Sequence, residues 1–196
     1  MKKRLMVYFL LTIFLLFNIP LAFGMTKQSS KSLIYEYIVP EVEKNAEYKK
    51  QIQEIMNELP TGDYDYIYEV EYGPIKEVTI EGFLANQPRN GTKFPGGGGF
   101  YCSTSGGAKY SVSVSFPEPF DMVTVSAELG YVSNSVSGVY IEAPNTTDYW
   151  KAYGEKDFEV QPIIVWKIHR YTGKKSKHVS YHSTTHLRSR YYCVKA

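Results

Sequence analysis

Apolar and polar side chains alternate strictly along residues 109–116, and residues 122–129 alternate in the same way from Val123 onward. In the first segment every second residue from Tyr110 to Phe116 is aromatic or aliphatic, and the residues between them are serines. Alternation with a period of two, in residues that favour a pleated surface, is typical of a strand with one buried and one wet face. The pattern therefore predicts antiparallel β-structure in the second half of the chain.

Further short apolar segments follow, with turn residues between them. The most apolar is the run from Ile163 to Ile168, which we expect at the centre of a sheet. Evenly spaced short strands separated by turns are typical of a sandwich or a small barrel. We predict a C-terminal antiparallel β-sandwich over residues 108–196. Its predicted strands are 109–116, 122–129, 137–143, 149–153, 158–169, 178–182 and 188–194.

Helical periodicity dominates residues 27–59. A short apolar face ends at Ile38, and Pro40 then suits the first turn of a second helix. The second apolar stripe ends at Leu59, with charged residues mostly outside it. We predict a helical arm that the Pro-Thr-Gly sequence at 60–62 terminates.

Alternation returns at residues 64–72, where it places four tyrosines and Val70 on one face. Gly73-Pro74 is a turn signal and residues 76–83 form a second strand pattern, so the sequence predicts a short β-hairpin. A face of tyrosines is compatible with two interpretations. It is either a surface that binds carbohydrate or peptide, or the half-polar inner face of a small β-domain.

Residues 85–107 are rich in glycine and proline. We predict that they form a linker or a long surface loop between the arm and hairpin before them and the sandwich after them. The predicted fold is thus mainly β, with the helical arm and hairpin in residues 25–84 and the sandwich in residues 108–196. The glycines match no phosphate-binding loop, so we predict no nucleotide ligand.

The N-terminus has the layout of a secretory signal peptide over residues 1–24. A basic start at Lys2-Lys3-Arg4 precedes an apolar run, and Ala22-Phe23-Gly24 provides a small-x-small end. Cleavage after Gly24 is the expected outcome, which predicts a secreted or cell-surface protein. The alternative is an uncleaved membrane anchor, and the sequence leaves open whether residues 25–62 are trimmed after export.

Charge is close to balanced, with a formal net charge of +2 at pH 7, so no nucleic-acid partner is predicted. The distribution is uneven, because Glu159 is the last acidic residue and a basic segment follows it. Either the basic and acidic halves face each other or solvent within one fold, or the basic segment contacts an anionic polymer of the cell envelope or a membrane surface.

Two cysteines, Cys102 and Cys193, are present. An even count in an exported chain predicts a disulfide. It would close a loop of about 90 residues, worth on the order of 4 kcal/mol in the chain-entropy model. The alternatives are two inert thiols or a reactive Cys102, although no catalytic motif surrounds Cys102.

Three of the four histidines, His178, His182 and His186, recur every four residues. On a helix this spacing would present three imidazoles for zinc, but the residues between them favour a strand. On a strand, neighbours stand about 13 Å apart, too far for adjacent members to hold one ion. We therefore predict no metal site, with solvated histidines as the main interpretation and a weak zinc site or a pH-responsive basic patch as alternatives.

No catalytic motif or cofactor motif occurs, so the sequence predicts a non-enzymatic protein without a cofactor. Alternating serine and valine in 109–116 and 122–129 also resembles a membrane-inserting hairpin of a secreted pore-former, although each arm is slightly short for a spanning strand.

The run from Ala143 to Tyr153, together with Glu159-Val160 and Val165-Trp166, resembles small exported β-rich proteins of Gram-positive bacteria. The resemblance covers roughly residues 100–170. It implies export and a bacterial setting, and it assigns no activity and no binding residues.

These observations predict an exported, non-enzymatic protein that binds an extracellular partner such as the cell envelope or an anionic surface polymer. The alternatives are a secreted toxin or pore-former and a zinc-dependent hydrolase. The predicted contact residues are Tyr149, Trp150, Tyr153, Lys174, Lys175, Lys177, Arg188 and Arg190.

Overall fold

The computed structural model describes residues 34–60 and 64–196. It is mainly β, with antiparallel sheets in a sandwich-like arrangement and one helix within those residues, which confirms the predicted fold class. The predicted signal peptide lies outside the described residues. In chain order the elements are β1 (Tyr35–Ile38), α1 (Glu41–Asn57), β2 (Tyr66–Tyr72), β3 (Lys76–Phe83), β4 (Gly99–Ser103), β5 (Lys109–Val114), β6 (Val123–Glu128), β7 (Tyr131–Ser133), β8 (Val139–Glu142), β9 (Trp150–His169) and β10 (Lys175–Lys195).

Two very long strands, β9 of 20 residues and β10 of 21 residues, pair along their whole length. The predicted breaks at 154–157 and 183–187 do not occur. Gly154 continues the strand because it pairs on both sides, with Tyr191 of β10 and with Gly82 of β3. The Tyr191 and Leu84 side chains occupy the space that a Cβ would need, so glycine fits there. β10 is irregular at two points, where the register with β9 shifts between Lys177 and Val179 and between His186 and Arg188. Such shifts bend a strand without ending it.

The predicted hairpin of residues 64–83 does not form, because β2 and β3 are collinear. Both pair antiparallel with the same edge of β9, β2 opposite residues 163–169 and β3 opposite residues 153–160. Gly73 donates its N–H to the Pro162 carbonyl at 2.8 Å, and Gln161 donates to the Gly73 carbonyl at 3.0 Å. The Gly-Pro sequence therefore marks an irregularity within one edge rather than a chain reversal.

The helical prediction is wrong at residues 35–38 and confirmed at α1. β1 forms backbone hydrogen bonds with Arg188–Tyr191 at the edge of β10. The β1 sequence, Tyr-Glu-Tyr-Ile, is rich in residues that favour strands. α1 follows Pro40 and carries Glu41 and Glu43 in its first turn, where the helix dipole favours negative charge. Strands from both predicted parts of the chain, residues 25–84 and 108–196, thus belong to one five-stranded sheet, in the order β1-β10-β9 followed by β2 and β3.

A second layer covers one face of this sheet, which we call the inner face. It consists of a three-stranded sheet, β7-β4-β8, and the two-stranded β5–β6. β4 lies within the segment predicted as a linker or loop. Val112, Val123 and Val125 pack inward in one cluster with Ile80 and Val160, and Val114 is also buried. The serine faces point outward, with Ser111 bonded to Ser126 at 2.7 Å. The inward direction of Val112 and Val114 confirms the predicted alternation.

α1 covers one half of the opposite face, which we call the outer face. Ile55 is buried against Ile163 and Val165. The Gln51 side-chain amide also bonds both backbone groups of Thr184, donating to its carbonyl at 2.9 Å and accepting from its N–H at 2.8 Å. The helix thereby joins the sheet through its face and through the edge of β10.

Candidate functional site

The structure divides the residues predicted as a binding surface into three groups. The aromatic residues lie at the start of β9, and the three lysines lie where β9 turns into β10, almost the whole length of β9 away. At a rise of about 3.3 Å per residue, the strand path between these groups is about 60 Å. The two arginines lie on the outer face between them. The predicted residues therefore do not form one continuous surface.

The aromatic group is largely part of the folded interior. Trp150 is 8% exposed and belongs to the core, where its indole N–H donates to the Asn145 carbonyl at 3.1 Å. Tyr153 packs between Phe83 and Tyr192, with ring centroids 5.3 and 5.6 Å away. Tyr149 is 54% exposed, so it alone of the three presents most of its ring to solvent.

The arginine group belongs to a charged network that spans the outer face. Arg188 pairs with Asp157 at 2.6 Å, and Arg190 pairs with Glu155 at the same distance. Asp157 is 6% exposed and also accepts a hydrogen bond from Thr79 at 2.7 Å. Burial alone would raise the pKa of Asp157, but the bonds from Thr79 and Arg188 and the arginine charges outweigh it and hold the pKa below its ordinary value. These arginines are already engaged within the fold.

The lysine group lies beside aromatic rings at the end of the β9–β10 hairpin. Lys175 lies 4.8 Å from the Trp166 ring and 3.5 Å from Glu69, and Lys177 pairs with Asp121. On the other face of the hairpin, Lys167 lies 3.7 Å above the ring of Tyr66. We call residues 64–68 and 166–178 together the hairpin tip.

Aromatic and basic side chains alternate across the hairpin tip. Tyr64 and Tyr171 are 84% and 78% exposed, and Tyr66 meets His169 edge-on at 5.2 Å. Residues 166–178 carry five lysines and arginines and no acidic residue. Of these, Arg170 and Lys174 form no ion pair within residues 34–60 and 64–196. Arg170 and Tyr171 were not among the predicted contact residues, although their place in a basic segment between two strand patterns was the signal that could have identified them.

The histidines are spread along β10 and do not converge. His178 contacts Tyr68 on the outer face, since the register shift after Lys177 changes its side of the strand. His182 lines a cavity beside Pro162 on the inner face, and His186 lies four residues further along that face. Burial lowers the pKa of both His182 and His186. In the described part of the chain no three potential ligands come together around a common point.

The predicted disulfide is absent from the structure, and Cys102 and Cys193 are free thiols. Both are buried in the same apolar cluster between the two layers, beside Ile141 and Tyr191. The predicted pairing placed Cys102 and Cys193 near each other, and they do lie in one cluster, but the even cysteine count did not determine whether they are bonded. Burial raises the pKa of each thiol to about 12, so neutral thiols are the stable form in this apolar environment.

We expect both thiols to resist alkylation while the protein is folded. A rise of the pKa from 9.0 to about 12 lowers the thiolate fraction near pH 8 by about a thousandfold, and burial further restricts access. Mass spectrometry after iodoacetamide treatment should show an unmodified native protein and two carbamidomethyl groups in urea. Rapid labelling of the native protein, or protection in urea that only a reductant removes, would contradict free buried thiols.

No family model, curated protein or solved structure matches this chain. The resemblance to small exported proteins of Gram-positive bacteria therefore stays a prediction. Within the described ranges, no helix has the length and apolar character needed to cross a bilayer.

Proposed function

We propose that this chain is an exported, non-enzymatic protein that binds an anionic polymer of the cell envelope through the hairpin tip. One observation supports this most strongly: Arg170 and Lys174, two cations without an ion pair in the described residues, lie in an exposed turn beside Tyr64 and Tyr171. The other charged groups of the predicted surface are partnered within the fold, as Arg188 is by Asp157.

The chemistry of the tip suits a repeating anionic chain. Unpaired cations at an exposed turn attract phosphate or carboxylate groups, and the attraction weakens as salt screens it. Exposed tyrosine rings add flat apolar area with a hydroxyl at the end, which suits polyhydroxylated units between the charges. Because the turn projects at the end of two long paired strands, it can reach a surface without rearrangement of the core.

Charge reversal at the turn tests this proposal. We expect Arg170→Glu with Lys174→Glu to weaken binding to cell-wall fragments by about tenfold or more, since two attractive charges become repulsive. Sedimentation with wall fragments, before and after extraction of their anionic polymer, measures the effect. The matched control is Lys49→Glu with Lys109→Glu, which makes the same change of charge at exposed sites away from the tip.

Three outcomes would contradict the proposal. These are equal loss of binding in the control protein, undiminished binding to extracted fragments, or no binding by the unaltered protein at low salt. A parallel dye-release assay on liposomes with and without anionic lipid separates the pore-forming alternative. We expect no release, since the valine faces of β5 and β6 are occupied by contacts with Ile80 and Val160.

A further inference from the structure

A polar cluster interrupts the apolar core on the inner face of the main sheet. Side chains on this face of β9 are apolar or glycine on both sides of Lys156. They are Trp150, Ala152, Gly154, Phe158 and Val160. Ser189 of β10 lies opposite Lys156 and is 5% exposed. His186 is the next residue of β10 on this face, on the other side of the register shift. Lys156 itself is half-buried, and removing part of its ammonium from water is unfavourable without a compensating partner.

Lys156 has no carboxylate partner in direct contact. Its ammonium donates to the Thr104 carbonyl at 3.0 Å, and it forms no ion pair with any residue in 34–60 or 64–196. Burial lowers the pKa of its ammonium, with Glu128 opposing that shift from a distance. Glu128 itself accepts a hydrogen bond from the Gly106 N–H at 3.0 Å, so that carboxylate is engaged elsewhere.

The cluster lines a cavity of about 290 Å³ between β1, β10 and the chain after β4. This volume is at the lower end of ligand sites, which span roughly 300–1,000 Å³. The hydroxyl of Ser189 lies 2.9 Å from Nε2 of His186, so both polar groups are held in fixed positions. The remaining walls come from Thr104 and from three aromatic residues, Tyr35, Tyr37 and Tyr191. A few convergent polar groups among aromatic walls are the usual composition of a small-molecule site.

We propose that this cavity binds a small organic anion, with a carboxylate or phosphate held by Lys156 and by the Ser189 hydroxyl that His186 orients, and an apolar part against Tyr35 and Tyr191. The anion supplies the negative charge that Lys156 lacks. When Nε2 of His186 donates to the Ser189 oxygen, the Ser189 hydroxyl proton is left to donate to the anion from a fixed position. The site is separate from the hairpin tip, so it stands or falls independently of the function proposed above.

Isothermal titration calorimetry of the whole protein with benzoate, phenyl phosphate and uncharged benzyl alcohol tests this proposal. We expect saturable binding of one equivalent of at least one anion, and binding of benzyl alcohol weaker by about tenfold or more. The stronger anion identifies the preferred head group. Absence of binding by both anions up to about 10 mM, or equal binding of the alcohol, overturns the proposal.

Variants assign the binding to this cavity. Lys156→Met should weaken anion binding by about tenfold or more. The control is Lys76→Met, because the Lys76 ammonium also donates to a backbone carbonyl, that of Ser115 at 2.7 Å, but on the surface. Unchanged binding by Lys156→Met, or an equal loss in Lys76→Met, overturns the assignment. If Lys156→Met does not fold, two other measurements test the assignment. Ser189→Ala should weaken anion binding, and the His186 NMR signals of the unaltered protein should shift on titration. Absence of both effects overturns the assignment.

A matching set of outcomes separates the two proposed sites. The Arg170→Glu, Lys174→Glu protein should bind the small anion as the unaltered protein does, because its changes lie at the hairpin tip. Loss of anion binding in that protein would place the anion at the tip and remove the cavity assignment.

Discussion

Replacing Asp157 by alanine should lower the free energy of unfolding by about 3 kcal/mol. Asp157 is 6% exposed and accepts hydrogen bonds from Thr79 and Arg188, while Arg190 lies 3.5 Å away. Removing the carboxylate leaves two neighbouring guanidinium groups without their shared partner. The guanidiniums are partly exposed and regain some hydration, which keeps the loss below the largest values known for buried pairs.

Urea unfolding at pH 7 measures this loss, with Asp148→Ala as the matched control. Asp148 pairs with Lys195 at 3.1 Å, but the Lys195 side chain is 67% exposed, so the control should cost much less than Asp157→Ala. Equal losses in the two proteins would show that the Asp157 network contributes no more than an ordinary surface pair.

The same network predicts how stability depends on pH. The pKa of Asp157 is lower in the folded protein than in the unfolded chain, so its contribution is fully present above the unfolded value of about 3.9. It is lost as the pH falls through the lower, folded pKa. The stability difference between the unaltered protein and Asp157→Ala should therefore stay constant from pH 7 to about pH 5 and shrink below about pH 4.

Replacing Gly130 by alanine should destabilise the fold by about 3–4 kcal/mol. Gly130 has a φ of +101°, and an added Cβ would stand 1.9 Å from the Ser103 carbonyl oxygen. Gly130 also donates to the Gly106 carbonyl at 2.9 Å and accepts from the Ala85 N–H at 3.1 Å. The chain cannot move away from Ser103 without loosening these bonds, which tie three segments together.

Gly97→Ala is the control, because Gly97 also has a positive φ, +81°, but open space around it. It should lose only the cost of the backbone conformation, about 1 kcal/mol. The difference between the two variants in thermal or urea unfolding then measures the steric conflict at Gly130. Similar losses would mean that the backbone around Ser103 yields easily.

Local patterns in the sequence predicted the elements whose signals are local. The alternation in 109–129 gave two strands and the direction of their valines, because a period of two has one interpretation when one face is buried. The stripe after Pro40 gave α1 for the same reason at helical spacing. The face of tyrosines in 64–72 was also predictable. Tyr68 and Val70 pack beneath α1, as expected for an inner face, whereas Tyr64 is exposed and the binding interpretation stays a prediction.

The pairing partners were not predictable from those patterns. Gly73-Pro74 marks a hairpin turn or an irregular edge equally well, and only the presence of β9 decides between them. Gly154 was interpreted as a strand break, because the sequence does not show that the Tyr191 side chain, distant in sequence, lies where a Cβ would be. The same limit applied to the sites. The basic character of the segment after Glu159 predicted Lys174 as a contact residue. The burial of Trp150 and the convergence of the cavity residues were not predictable, because both depend on contacts between distant segments.

The position of Gln51 has a consequence for self-association. β1 pairs with only Arg188–Tyr191 of β10. Among the described residues, no strand pairs with the rest of the β10 edge that faces away from β9. Such an edge is a template on which another polypeptide can add by backbone pairing. The amide of Gln51 already bonds the N–H and carbonyl of Thr184, in the middle of that stretch, and the two register shifts twist the edge on either side. A single glutamine side chain thus takes the place of an intruding strand, and any sheet-to-sheet polymerisation would first have to displace it.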